Sequence, residues 1–180
     1  AVLFTRALPS ELSVEALMVE ELFLILPADS PLLPGRTNLT MAEMSGVPLI
    51  LPTSDHGLRK RIEAEFESRA LSLHVVAEID SLSLLMNCVN DHIGGTIKPM
   101  GAILQEGLRG RQYRCLRVSD AQLRRSNYLY SLPPEALSFA ATAVAHELRI
   151  VVDDLVASNT WEGFLPRPDQ TQREQDIALV

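Results

Sequence analysis

Cysteine is nearly absent. Two residues, Cys88 and Cys115, in a chain of 180 rule out a disulfide-stapled scaffold. Such usage suits a reducing compartment, and the chain reads as cytoplasmic. No apolar run reaches the 18 residues that a membrane-spanning helix needs, so no membrane partner is expected. Basic charge is also short: 16 Lys and Arg stand against 23 Asp and Glu, a net charge of −7. A nucleic-acid grip wants a basic face, so DNA is not a partner of this stretch. His74, His92 and His146 are scattered without metal-ligand spacing, and no metal or cofactor site is expected. There is no P-loop, no nucleophile elbow, no Ser/His/Asp set and no G-x-G-x-x-G fingerprint. The sequence therefore offers no catalytic residues.

What remains is an ordinary globular composition, 47% hydrophobic and 22% charged. Its centre is Val47 to Pro99, which alternates strand and helix. Val47–Pro52 is a short apolar run between prolines. Gly57 to Ala70 places Leu58, Ile62 and Phe66 on one helical face. Leu73–Ile79 is β-branched and extended. Ser81 to Asp91 is helical again, and Gly95–Pro99 closes the unit. Strands separated by helices of this length predict right-handed crossovers and a parallel sheet. Open parallel sheets bind ligands beyond the carboxyl ends of their strands. Here those ends carry Pro52-Thr53-Ser54, Asp80-Ser81 and Pro99-Met100, an attractive setting for a small anion at a helix start.

On either side, Ala1–Phe4, Glu21–Pro27, Tyr113–Val118 and Asn127–Leu132 read as strands, with a short extended piece at Val14–Met18. Thr40–Met44 reads as one capped helical turn. Pro133-Pro134 opens a long helix whose stripe is Leu137, Ala141, Val144, Leu148, Val151 and Leu155, serving core or dimer contact. Trp161 and Phe164 fold back on the body. The strands at Glu21 and Asn127 bracket the centre. They predict an inserted α/β lobe over 22–125, a second lobe from 1–21 plus 126–166, a hinged cleft between them, and a flexible tail over 167–180. The opening Ala1-Val2-Leu3-Phe4 lacks methionine and a leader, and reads as an excerpt of a longer protein.

Four segments in order, Glu20–Ile25, Val47–Arg59, Glu78–Leu82 and Ile93–Pro99, resemble the effector-binding domain of LysR-type transcriptional regulators, and the nitrogen assimilation control branch in particular. The resemblance spans residues 1 to 165. It implies a periplasmic-binding-protein-like fold with two α/β lobes joined by two crossover strands, the first lobe incomplete. It implies a homodimer or tetramer, a small-molecule effector, and DNA binding through a winged helix-turn-helix that precedes the domain. By matching positions the effector cleft is lined by Thr53, Ser54, His56 and Gly57 on one side and Gly94, Gly95 and Thr96 on the other, with Lys98 beside them. Two positions depart from the family. Glycine with φ > 0 is usual where His92 stands, and an apolar or amide residue is common at Lys98.

Each of these residues also has a plainer reading. Thr53 or Ser54 can cap the next helix. His56 can be a solvated loop residue. The glycines can admit a neighbouring strand instead of a ligand. Lys98 can reach solvent or attract a carboxylate. Arg59, Lys60 and Arg61, facing Glu63, Glu65 and Glu67, can clamp an anion or form a solvated face with i,i+4 ion pairs. The function implied is a sensor of a small polar or anionic metabolite within a bacterial transcription regulator. An extracytoplasmic solute-binding protein of the same fold is the alternative.

Overall fold

A computed structural model describes residues 2–4, 12–158 and 162–166. The expected tail over 167–180, Trp161 and most of the expected loop from Thr5 to Ser13 lie outside these residues. The chain falls into two compact units, Glu21–Leu123 and the described residues of Ala1–Glu20 with Arg124–Val180.

The unit Glu21–Leu123 is a doubly wound sheet. Its parallel strands are β4 (Leu49–Leu51), β5 (Val75–Glu78) and β6 (Thr96–Pro99). β4 pairs with β5. It meets β6 through Ile50 N–H to Gly95 O at 2.7 Å and Gly95 N–H to Pro48 O at 2.8 Å. The far end of β2 (Ser13–Pro27) runs antiparallel between β6 and β7 (Tyr113–Val118). The short β3 (Asn38–Leu39) pairs parallel with β7. The expectation of parallel crossovers through the middle of the chain is met.

Side chains alternate across a strand, and here the alternation sorts the core. Leu22, Leu24, Leu26, Leu49, Leu51 and Ile97 point to one face. There they meet α1 (Met41–Ser45) and the Leu58, Ile62 and Phe66 stripe of α2 (Gly57–Glu67). Ile25 and Ile50 point to the other, where Leu85, Met86 and Val89 of α3 (Leu82–Asn90) and Ala102 of α4 (Gly101–Gln105) cover them. Each fully buried Leu, Ile or Phe contributes about 1.5–3 kcal/mol. α1 begins with a capping box: Thr40 Oγ1 accepts from Glu43 N–H, and Glu43 Oε2 accepts from Thr40 N–H at 2.8 Å.

The register of β5 is irregular. Leu49 pairs with Val75, but Ile50 pairs with Ala77 and Leu51 with Glu78, so β5 takes up one extra residue at Val76.

The second unit holds β1 (Val2–Phe4) antiparallel to β8 (Arg124–Ser131), the first part of β2, and β9 (Phe164–Leu165) on β2. Ala16, Tyr128 and Tyr130 form its core cluster among the described residues. β2 is one strand from Ser13 to Pro27, where two separate pieces were expected. Glu20, where the two pieces join, is buried and accepts from Arg125 Nε at 2.5 Å.

The long helix starts later than expected. Pro134–Ala136 forms one 3-10 turn, and α5 (Phe139–Ala157) begins where Ser138 Oγ accepts from Ala141 N–H at 3.2 Å. Leu137 is therefore outside α5. Of the expected stripe, Val144 is 63% and Val151 50% exposed, while their neighbours Ala145 and Val152 are buried. Arg149, on the inner flank, holds Glu15 of β2 at 2.7 Å.

Candidate functional site

At the carboxyl ends of β4 and β5 the chain leaves the sheet twice, into α2 and into α3. Proline and hydroxyl residues favour such exits. Pro52 ends the β4 run, and His56 N–H turns back to Thr53 O at 3.0 Å. His56 is the cap of α2: its Nδ1 accepts from Leu58 N–H at 3.1 Å. In the neutral imidazole, that bond places the ring proton on Nε2. Neither Thr53 nor Ser54 caps α2, and Ser54 and Gly57 are exposed on the loop and first turn. Ser81 Oγ caps α3 by accepting from Leu84 N–H.

Thr53 is engaged elsewhere. Its N–H donates to Asp80 Oδ1 at 3.0 Å, and its hydroxyl lies 3.1 Å from both Asp80 oxygens. Asp80 stands two residues past the end of β5, as Thr53 stands two past the end of β4. The two Thr53 donors hold the Asp80 carboxyl below the usual carboxylate range, the amide contributing most; desolvation opposes them, and the charges of His56, when protonated, and Lys98 add less. The carboxylate is exposed and ionised at neutral pH.

Arg59 braces this corner from below. It is only 8% exposed. Its Nε donates to Glu63 at 2.7 Å, and its Nη1 donates to Glu78 at 3.1 Å and to the Pro52 carbonyl at 3.2 Å. One guanidinium thus ties the residue before Thr53 to the strand that carries Asp80. Arg61 forms the i,i+4 pair with Glu65.

β6 supplies the remaining expected residues, and they divide by face. Lys98 and Thr96 lie opposite Phe23 and Ile25. Lys98 is 9% exposed, and its charge reaches Asp80. Thr96 is fully buried, and its hydroxyl has no hydrogen-bond partner in the structure. The glycines make room for the protein itself. A Cβ on Gly94 would meet Pro48 O at 2.8 Å, and one on Gly95 would meet Leu26 Cδ2 at 2.7 Å.

Thr53, His56 and Lys98 are therefore gathered around Asp80, while Gly94, Gly95 and Thr96 belong to the strand packing. Sequence reasoning places Asp80 at a strand end and weighs Arg59 as an anion clamp or an i,i+4 partner of Glu63, but counts neither among the effector-binding residues. The signal for Asp80 was its place at the end of a strand parallel to the one before Thr53. Among the described residues no group of three His, Cys, Asp or Glu could hold a metal ion. None of their helices is long and apolar enough to cross a membrane.

Two solved structures that share this fold are a regulatory domain and an effector-binding domain. The regulatory domain of CcmR from Synechocystis PCC6803, in complex with 2-PG, matches with a TM-score of 0.72 at 18% identity, over 83% of this chain and 72% of that one. The effector-binding domain of QuiR in complex with shikimate gives 0.68 at 16% identity, over 83% and 70%. These likenesses define a two-lobed, periplasmic-binding-protein-like α/β fold. The profile of the LysR substrate binding domain matches residues 1–153, and the chain belongs to that family. The nitrogen assimilation regulatory protein nac of Klebsiella aerogenes is 32% identical over 104 residues, 57% of this chain and 32% of that protein. Its namesake in Escherichia coli K12 is 29% identical over 102 residues, with the same coverage. The matched part spans about a third of the length of these curated relatives.

Proposed function

We propose that this chain is the effector-sensing part of a LysR-type transcription regulator and that it binds a small polar metabolite at the Thr53–Asp80 corner. The observation that supports the site is the gathering of Thr53, Asp80, His56 and Lys98 at the carboxyl ends of parallel strands, where α/β sheets take their ligands. Ser54 and Gly57 flank the same loop, and Gly94, Gly95 and Thr96 set the position of β6 beside it. No bond is made or broken. The effector acts by binding one conformational state more tightly than another, with Asp80 and Lys98 as the charged contacts. In the whole regulator, DNA is contacted by another part of the protein, the working form is a dimer or tetramer, and the setting is the cytoplasm. The acidic balance of this stretch supports the first point.

A thermal-shift screen of the chain against a broad set of central metabolites tests the reading. At least one polar compound should raise the melting temperature, and Thr53→Ala should reduce that shift. If no compound shifts it, or if Thr53→Ala leaves the shift unchanged, the site is overturned.

A further inference from the structure

A ligand arriving at Thr53 finds the seat taken. The amide and hydroxyl that would receive a ligand's acid group are both turned onto the Asp80 carboxylate, at 3.0 and 3.1 Å. This is a charge-assisted arrangement with two donors from one residue. A carboxylate or phosphate would have to displace Asp80 and then sit beside a second negative charge. A donor group meets the opposite situation. Asp80 accepts from Thr53 and still has lone pairs to offer, because a carboxylate has roughly four acceptor sites. It is exposed to solvent and stays ionised. The bracing by Arg59 adds to this. Its bonds to Pro52 O and Glu78 fix the strand end before Thr53 and the strand that leads to Asp80, and so set the spacing at which Thr53 holds the carboxylate.

We infer that Asp80 is the specificity-determining residue of the corner: it makes the site take a ligand by an ammonium or amide group and turn away a ligand that offers only an acid. Lys98, whose charge reaches Asp80, accommodates an acid group elsewhere on the same ligand. The favoured class is therefore a small amine, above all a zwitterion. This rests on the effector site proposed above and narrows its ligand.

The test uses the 180-residue chain and the twenty common amino acids. Each is paired with the amine left by removing its α-carboxyl group and the acid left by removing its α-amino group. Binding is read by calorimetry for the wild type, Asp80→Asn and Thr53→Ala. Asparagine keeps an oxygen for the Thr53 amide, and the melting temperature of each variant reports its folding. The expected result is binding of zwitterions or amines but not of their deaminated acids. Asp80→Asn should weaken the amines by about tenfold or more, the size of a hydrogen bond to a charged group. Thr53→Ala should weaken them less and keep the preference for amine over acid. Three results overturn the inference. Acids that bind the wild type as tightly as their parent amines would remove Asp80's role and leave the sensor site standing. So would Asp80→Asn and Thr53→Ala behaving alike. If neither this panel nor the metabolite screen yields a ligand, the inference falls together with the site.

Discussion

Thr53 and Asp80 come from neighbouring parallel strands, and the amide and hydroxyl of the first hold the carboxylate of the second at 3.0 and 3.1 Å. A carboxyl so held has a folded-state pKa below its unfolded value near 3.9, and Asp80 is lowered in this way. Its contribution to stability is present above about pH 4 and is lost as pH falls through the folded value. Thr53→Val removes the hydroxyl and keeps the amide. The Asp80 midpoint, followed by carbon-detected NMR, should rise part of the way to the ordinary range. A midpoint that does not move would mean that the hydroxyl contributes nothing.

Arg59 is buried, but Glu63 and Glu78 have side chains 31% and 47% exposed. Removing the guanidinium therefore leaves two carboxylates that can turn to water and one carbonyl, Pro52 O, that loses its partner. Arg59→Leu should cost about 1–3 kcal/mol, the range for an unsatisfied group and well short of a fully buried pair. Arg59→Lys cannot span both partners with one fork and should recover less than half of that. Urea unfolding of the two variants decides it. Equal loss in both would show that shape, and not charge, is what Arg59 supplies.

Gly94 and Gly107 offer a contrast between crowding and backbone conformation. A Cβ at Gly94 would stand 2.8 Å from a backbone oxygen of Pro48, which has to move, and β4 with it. Gly94→Ala should cost about 1–3 kcal/mol, as overpacking does. Gly107 has φ +56 and nothing within 4 Å of the added carbon, so Gly107→Ala should cost only the left-handed strain, about 1–2 kcal/mol. Gly94→Ala should also alter ligand binding at Thr53, because β4 carries both; Gly107→Ala should not.

Much of the fold could be read because its signals are local. The spacing of Leu58, Ile62 and Phe66 gave α2 its inner face, and all three are buried. Thr40 followed by Glu43 gave α1 its cap. The position of His92 is informative for the same reason. It sits at φ +60 just past α3, where Ile93 N–H reaches back to Cys88 O and His92 N–H to Val89 O. This is the helix-ending loop for which glycine is preferred, now held by histidine with Nε2 3.3 Å from Asp29. The readings that failed were those decided by distant partners. The pieces read at Val14–Met18 and Glu21–Pro27 are joined through Glu20, whose partner Arg125 lies 105 residues away. Thr53 can be read as a cap beside its place in the effector site, and the cap reading loses to Asp80, 27 residues away. The start of α5 failed for a different reason: proline at the first turn and serine at the cap are both good openings, and Ser138 won.

The spare residue at Val76 reaches further than its own strand. Were β4 and β5 to pair one-to-one from Leu49 and Val75 onward, Ile79 would stand across from Thr53 and the corner would show a greasy knob where it now shows an acid. A slip of one rung, 3.3 Å or so along the strand, would thus recode the recognition chemistry without a change of sequence. Shortening β5 by that one residue would preserve it.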